Sequence, residues 1–241
     1  MTIDTNTKIY VAGHCGMVGS ALVRRLQLGN ESPYINIISR THAELDLTNQ
    51  AAVQAFFEAE KPDYVFLAAA KVGNLQANNT NPADIIYQNI QIQNNVIKAA
   101  HQFGVKWLCF VASSCIYPRG CPQPIKEEYF LTGPLDQSCE PYAIAKLAGI
   151  ELCNAYNGEQ GTRFVTVVSS TLYSADAQYN AVDRQYLCID DMADACVFLM
   201  EQGVSGGIYN IGVDAPHQLL DTSRLTQLGW HATTLPNSGH A

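Results

Sequence analysis

KIYVAGHCGMVGSALVRRLQ, residues 8–27, is the stretch that decides the fold. An apolar run ends at Gly13, glycines return at 16 and 19, and a helical pattern follows from Met17 to Gln27. The order of strand, glycine turn and helix then sets a rhythm that the chain repeats. Further apolar runs lie at 35–39 (INIIS), 63–70 (DYVFLAAA), 106–113 (KWLCFVAS) and 163–170 (RFVTVVSS). Helical patterns separate them at 49–60, 89–104 and 141–157. Strands joined by helical crossovers must run parallel, so the pattern predicts an α/β protein with a doubly wound parallel sheet of the Rossmann type. The strands are apolar nearly throughout, as burial on both faces requires.

Past residue 172 the rhythm breaks. SADAQYNAVDRQ is short and polar, YLCIDDMADACVFLMEQG reads as a strand end and a helix, GGIYNIG as a short strand, and LLDTSRLTQLGW as a small helix with its exit. The expected division is a dinucleotide-binding domain over 1–172 and a small, incomplete C-terminal substrate domain over 173–241, with 186–212 returning to the first domain.

Composition narrows the partners. Of 241 residues, 47% are apolar and 15% charged, which suits a folded core. The net charge of −8 offers no general basic field for nucleic acid or an acidic membrane. Eight cysteines are scattered with neither a CxxC pair nor metal-ligand spacing, so reduced thiols in a cytoplasm and no metal are expected. The N-terminal residues lack a leader pattern, and no run approaches the roughly 18 apolar residues of a membrane span.

Two motifs carry chemistry. At GHCGMVG (13–19), Gly13, Gly16 and Gly19 let backbone N–H groups and a positive helix end approach a pyrophosphate without a Cβ in the way. A plain tight turn is the alternative. At YAIAK, Tyr142 and Lys146 stand i, i+4 on one helix face, where an ammonium beside a phenol would lower the phenol's pKa for proton exchange near neutral pH. A solvent-facing pair is the alternative there.

The GxxGxxG spacing resembles the short-chain dehydrogenase/reductase group, in its extended sugar-nucleotide branch. With AGHCGMVGSA, LAAAKVG, NNTNPADIIYQN, SSCIYP and EPYAIAKLAGIELC added, the chain from about residue 8 to 173 resembles the GDP-L-fucose synthase family. That resemblance implies an NADP(H)-dependent enzyme that epimerises C3 and C5 of a GDP-4-keto-6-deoxymannose and then reduces C4. It implies that Ser113 polarises the carbonyl, Tyr142 supplies a proton, Lys146 orients the cofactor ribose, and Cys115 is an acid/base of epimerisation. The other seven cysteines are read as packing or incidental thiols. The resemblance further implies cofactor contacts from Gly13, His14, Cys15, Gly16, Met17, Val18 and Gly19, from Arg40, His42, Asp46 and Leu47, and from Ala68, Ala69 and Ala70. Val111, Ala112, Ser113, Ser114, Tyr142, Lys146, Ser169, Ser170, Thr171 and Leu172 complete that set. Arg184 matches a contact to the nucleotide-sugar phosphate, with an ordinary surface arginine as the alternative, and a homodimer is implied by analogy.

Departures from the family matter as much. Cys15 stands where the family has an arginine, leaving Arg40 and His42 to hold a 2′-phosphate. Asp46 and Leu47, in ELDL, are read as an adenine-edge contact, or else as a helix cap. TLYS (171–174) is followed almost at once by AVDRQYLCIDD, where the family has a long stretch carrying a catalytic histidine and basic residues. Natural deletion and missing segments both remain open, the latter preferred, and the second epimerase acid/base would then lie in the absent piece. None of His14, His101, His217, His231 and His240 replaces it convincingly. A related GDP-keto-sugar enzyme of the GDP-colitose or GDP-6-deoxyheptose type, a C4 reductase without epimerisation, and a non-catalytic dinucleotide-binding regulatory module are the competing readings.

Overall fold

The computed structural model describes residues 6–28, 36–72, 80–174, 186–213 and 219–233. Strand β1 (Lys8–Ala12) leads through the glycine turn into helix α1 (Met17–Gln27), and β2 (Asn36–Ile38) into α2 (Gln50–Glu60). Then come β3 (Tyr64–Leu67), α3 (Pro82–Gln102), β4 (Trp107–Ser113), α4 (Glu140–Gln160) and β5 (Phe164–Ser169). β6 (Thr171–Tyr173), β7 (Tyr186–Cys188), α5 (Ile189–Gln202), β8 (Gly207–Ile211) and the short α6 (Ser223–Thr226) follow. α3 starts seven residues earlier than its apolar pattern predicts, because Pro82 sits in its first turn, where a missing N–H costs nothing.

The main sheet has six strands in the order β2-β1-β3-β4-β5-β8, all pairs parallel, and β6 pairs with β7 in a separate parallel ribbon. Side chains alternate across it. Ile9, Val11, Phe66, Cys109, Val111, Val165 and Val167 pack with Leu22 and Leu26 of α1 and with Met192, Cys196 and Met200 of α5. Tyr10, Ala12, Val65, Leu67, Leu108 and Phe110 pack with Phe57 of α2, Val96 and Ala100 of α3, and Ile150 of α4. Continuous apolar strands are thereby explained: both faces of the sheet are covered by helices.

β2 lies on one side of β1 and β3 on the other. The chain reverses its direction of winding there, and the loops leaving the C-terminal ends of these strands part to leave a crevice. Among the described residues, no helix is long and apolar enough to cross a membrane.

Candidate active site

The crevice holds a cavity of about 320 Å³. Gly13, Gly16, Arg40, His42, Asp46, Leu47, Ala68, Ala69 and Ala70 line it, all expected from sequence. Leu45, Thr48, Lys71, Gln88 and Ile92 line it as well, and sequence reasoning missed them. Their signal was the run of amides in α3. Asn89, buried, accepts from the Lys71 N–H at 3.0 Å and donates to the Lys71 carbonyl at 2.9 Å. Asn95 donates to the carbonyls of Leu47 and Thr48 at 2.9 and 3.0 Å. Polar side chains buried on a helix thus pin the two loops that rim the cavity, each amide offsetting its own desolvation.

The glycine turn fits a dinucleotide. Gly13 has φ +88°, and a Cβ there would meet the Ala69 nitrogen at 2.6 Å. A Cβ on Gly19 would lie 2.6 Å from the Gly13 carbonyl carbon and 2.8 Å from His14 Cα. Gly16 caps α1 without a side-chain hydrogen bond, so the first N–H groups of the helix are left for a ligand. His14 Nδ1 and Ser170 Oγ are buried without a hydrogen-bond partner among the described residues. Of the remaining glycine-loop residues, Cys15 and Met17 are exposed, and Val18 packs against the core.

Charge at the cavity is mixed. Arg40 donates to Glu60 Oε1 at 2.6 Å and to the Ser39 carbonyl at 2.8 Å, and lies over the Phe56 ring. His42 is 3.9 Å from Asp46, whose carboxyl is held below its ordinary pKa by the hydroxyl and N–H of Thr48. Asp46 is not the helix cap. That role belongs to Asn49, which accepts from the Ala52 N–H at 3.1 Å.

A second cluster forms at the end of β4. Ser113 is the last residue of that strand, paired in register with Ser169 of β5. Ser114–Ile116 make one 3-10 turn, which brings Cys115 back within hydrogen-bonding reach of Ser113. Tyr142 and Lys146 come from the first turns of α4. Lys146 is buried, donates to the Val111 carbonyl at 2.8 Å, and lies 4.6 Å from the Phe110 ring centroid and 5.6 Å from that of Tyr142. Burial lowers its pKa to about 8. Val111 and Ala112 are buried strand residues, Ser169 and Ser170 are buried at the end of β5, and Thr171 and Leu172 begin β6.

The geometry corrects two expectations. Tyr142 is shifted up, not down: burial comes first and the neighbouring Cys115 second, while the Lys146 ammonium faces the ring and the Val111 carbonyl. Cys139 is no incidental thiol. It is the N-cap residue of α4, and its thiol donates to the Asp136 carbonyl at 3.6 Å. Tyr117, without assigned chemistry in the sequence, is structural: its hydroxyl donates to Asn210 Oδ1 at 2.6 Å and ties the turn after β4 to β8. Arg184, His217 and His240 lie outside the described residues.

The model of the NAD dependent epimerase/dehydratase family matches residues 9–183. The chain is 40% identical to a putative GDP-L-fucose synthase 2 of Arabidopsis thaliana, covering 95% of this chain and 88% of that protein. It belongs to that epimerase/dehydratase family, in the GDP-L-fucose synthase group. The GDP-L-fucose synthase of Escherichia coli K12 is 37% identical over 93% of this chain and 91% of its own length. Among solved structures, MlghC, a GDP-mannoheptose C4 reductase from Campylobacter jejuni with NADP bound, superposes with a TM-score of 0.86 at 28% identity, covering 97% of this chain and 96% of that one. The Arabidopsis alignment runs over 290 positions against 241 residues here, so at least 49 positions of this family member's alignment have no counterpart in the chain.

Proposed function

We propose that the chain is an NADPH-dependent enzyme that epimerises GDP-4-keto-6-deoxymannose at C3 and C5 and reduces it at C4 to GDP-L-fucose. The observation that carries this reading is the assembly of Ser113, Cys115, Tyr142 and Lys146 around the end of β4. They stand in a chain 40% identical, nearly end to end, to a protein named as such a synthase. Gly13, Gly16 and Gly19 admit the pyrophosphate, Arg40, His42 and Lys71 offer positive charge to a 2′-phosphate, and Asp46 with Leu47 meets the adenine edge. When bound, the cofactor supplies the hydride for C4.

The chain's own residues do the rest. The Ser113 hydroxyl donates to the keto oxygen, and Tyr142 delivers the proton that completes the alcohol. A phenol held above its ordinary pKa stays protonated until the oxyanion forms. Lys146, sequestered beneath the site, fixes Tyr142 and presents its remaining hydrogens to the ribose. Cys115 exchanges the protons α to the ketone, which the carbonyl makes acidic. In this reading residues 173–241 supply the substrate portion with Arg184 on the GDP phosphates, while 186–212 return to the dinucleotide domain. The enzyme works in a cytoplasm as a homodimer, for which the exposed Tyr87 of α3 and Ile144 of α4 offer apolar surface.

The test is purified protein with GDP-4-keto-6-deoxymannose and NADPH. NADPH is expected to be consumed, with inversion at C3 and C5 by NMR; no consumption refutes the reading. One observation favours a second reading. A solved C4 reductase superposes on 97% of this chain with a TM-score of 0.86, which fits reduction without epimerisation. Reaction in D2O separates the two: deuterium at C3 and C5 marks the epimerase.

A further inference from the structure

Glu60 stands where a helix disfavours a carboxylate. It is the last residue of α2, at the negative end of the helix dipole, and it is half-buried. Two cations hold it there. Arg40 donates from Nη2 to its Oε1 at 2.6 Å, while Lys8 Nζ lies 3.7 Å from its Oε2 and donates to its backbone carbonyl at 2.8 Å. Two cations to one carboxylate leave a net positive charge, so Glu60 orders Arg40 without cancelling the field that faces the cavity.

The cavity depends on that order. Arg40 follows β2 and lines the crevice on the side where the adenosine end of a dinucleotide lies. Its neighbours there give little help: the exposed Cys15 of the glycine turn brings no charge, and His42 stands 3.9 Å from Asp46. A guanidinium carries five N–H groups. Arg40 uses one on the Ser39 carbonyl at 2.8 Å and one on Glu60, and the rest remain for an anion. The Phe56 ring, 5.5 Å from its central carbon and itself packed on Tyr10, fixes the plane of the group but lets it turn within that plane. The Ser39 carbonyl belongs to the preceding residue and moves with the loop. Glu60, one turn beyond Phe56 on the same face of α2, is the contact that fixes the rotation.

We propose that Glu60 is the positioning residue for recognition of the cofactor's 2′-phosphate: it holds the Arg40 guanidinium in one orientation, and so favours NADPH over NADH without itself lining the cavity. This rests on the NADPH reading above. An arginine that must be immobilised on binding gives up part of its interaction as lost rotamer freedom, and one ordered beforehand does not. The ribose hydroxyl of NADH makes no such demand on it.

Fluorescence titration with NADPH and with NADH tests this, with circular dichroism to establish folding. Glu60→Ala is expected to weaken NADPH about 3- to 10-fold, the effect of freeing one long side chain, and to leave NADH within about twofold. Glu60→Gln keeps an acceptor for Nη2 and is expected to bind NADPH within about twofold of wild type. In the Arg40→Ser background, Glu60→Ala is expected to change NADPH by less than about twofold, because the residue acts through Arg40. A carboxylate that only dampened the positive field would give tighter NADPH binding in both Glu60 variants, and a brace for the fold would weaken both cofactors alike. Either result overturns the proposal, as does unchanged NADPH binding in Glu60→Ala, a Glu60→Gln protein as weak as Glu60→Ala, or an additive loss in the Arg40→Ser background. If wild type binds NADPH no more tightly than NADH, the positioning role falls while the dinucleotide site stands; if it binds neither, the functional reading falls with it.

Discussion

Gly19→Ala tests the cradle most sharply. The new Cβ would be driven into the Gly13 carbonyl, with its carbon 2.6 Å away. Ordinary contact begins at 3.4 Å and the carbonyl oxygen lies nearer still, so the turn or the start of α1 must shift by at least about 0.8 Å. Hydrogen bonds to a phosphate span about 2.7–3.2 Å, and such a shift takes at least one of them out of range. A bond to a charged group contributes about 1.5–3 kcal/mol, so NADPH should bind about 10- to 150-fold more weakly. The same substitution at Gly16 meets the Gly13 oxygen at 3.3 Å, which a small adjustment relieves, and its loss should be several-fold smaller. Gly158→Ala, in α4 with nothing within 4 Å, serves as the control and should leave binding unchanged. NADPH fluorescence titration gives the affinities, with circular dichroism to establish folding. A folded Gly19→Ala protein that binds NADPH within threefold of wild type refutes the cradle.

Lys146 has a folded pKa of about 8 against 10.5 unfolded, so the folded state sheds its proton first and stability rises with pH across that window. Lys146→Met should therefore be inactive yet more stable than wild type at pH 7, with the gap closing by about 1.5 kcal/mol between pH 8 and 9.5 in urea unfolding; a pH-independent gap contradicts this. Asn210→Ala leaves the Tyr117 hydroxyl without its acceptor, while the Ile125 carbonyl keeps the Asp221 N–H at 2.8 Å, and should destabilise by about 1–3 kcal/mol, read as a lower midpoint in denaturant. Cys115→Ser should impair C3 and C5 exchange far more than NADPH binding, and equal exchange in mutant and wild type removes Cys115 from the mechanism. Arg40→Ser should weaken NADPH about tenfold or more while barely affecting NADH, because only the former carries the 2′-phosphate; parallel losses count against Arg40 as its contact.

The strands were legible because burial on both faces leaves one pattern, a continuous apolar run, and the helices because their patterns lie between those runs. Ser113, Tyr142 and Lys146 were legible by order along the chain. Less so was the cavity rim. Lys71 entered it through the hold of Asn89 on the loop after β3, a contact between residues that no periodicity relates.

What the sequence determined by itself was the alternation of strand and helix and the glycine turn at the first crossover, since both follow from local pattern and from the absence of a side chain at a fixed position. The tertiary structure alone decided the environment of each reactive group. Lys146 reads as a cation beside the Tyr142 phenol until burial against Phe110 and the Val111 carbonyl lowers its own pKa. Tyr142 reads as a phenol eased toward ionisation by Lys146 until burial, and then Cys115, raise its pKa instead. Proton affinities depend on desolvation and on neighbours across the fold, and those neighbours are chosen by packing.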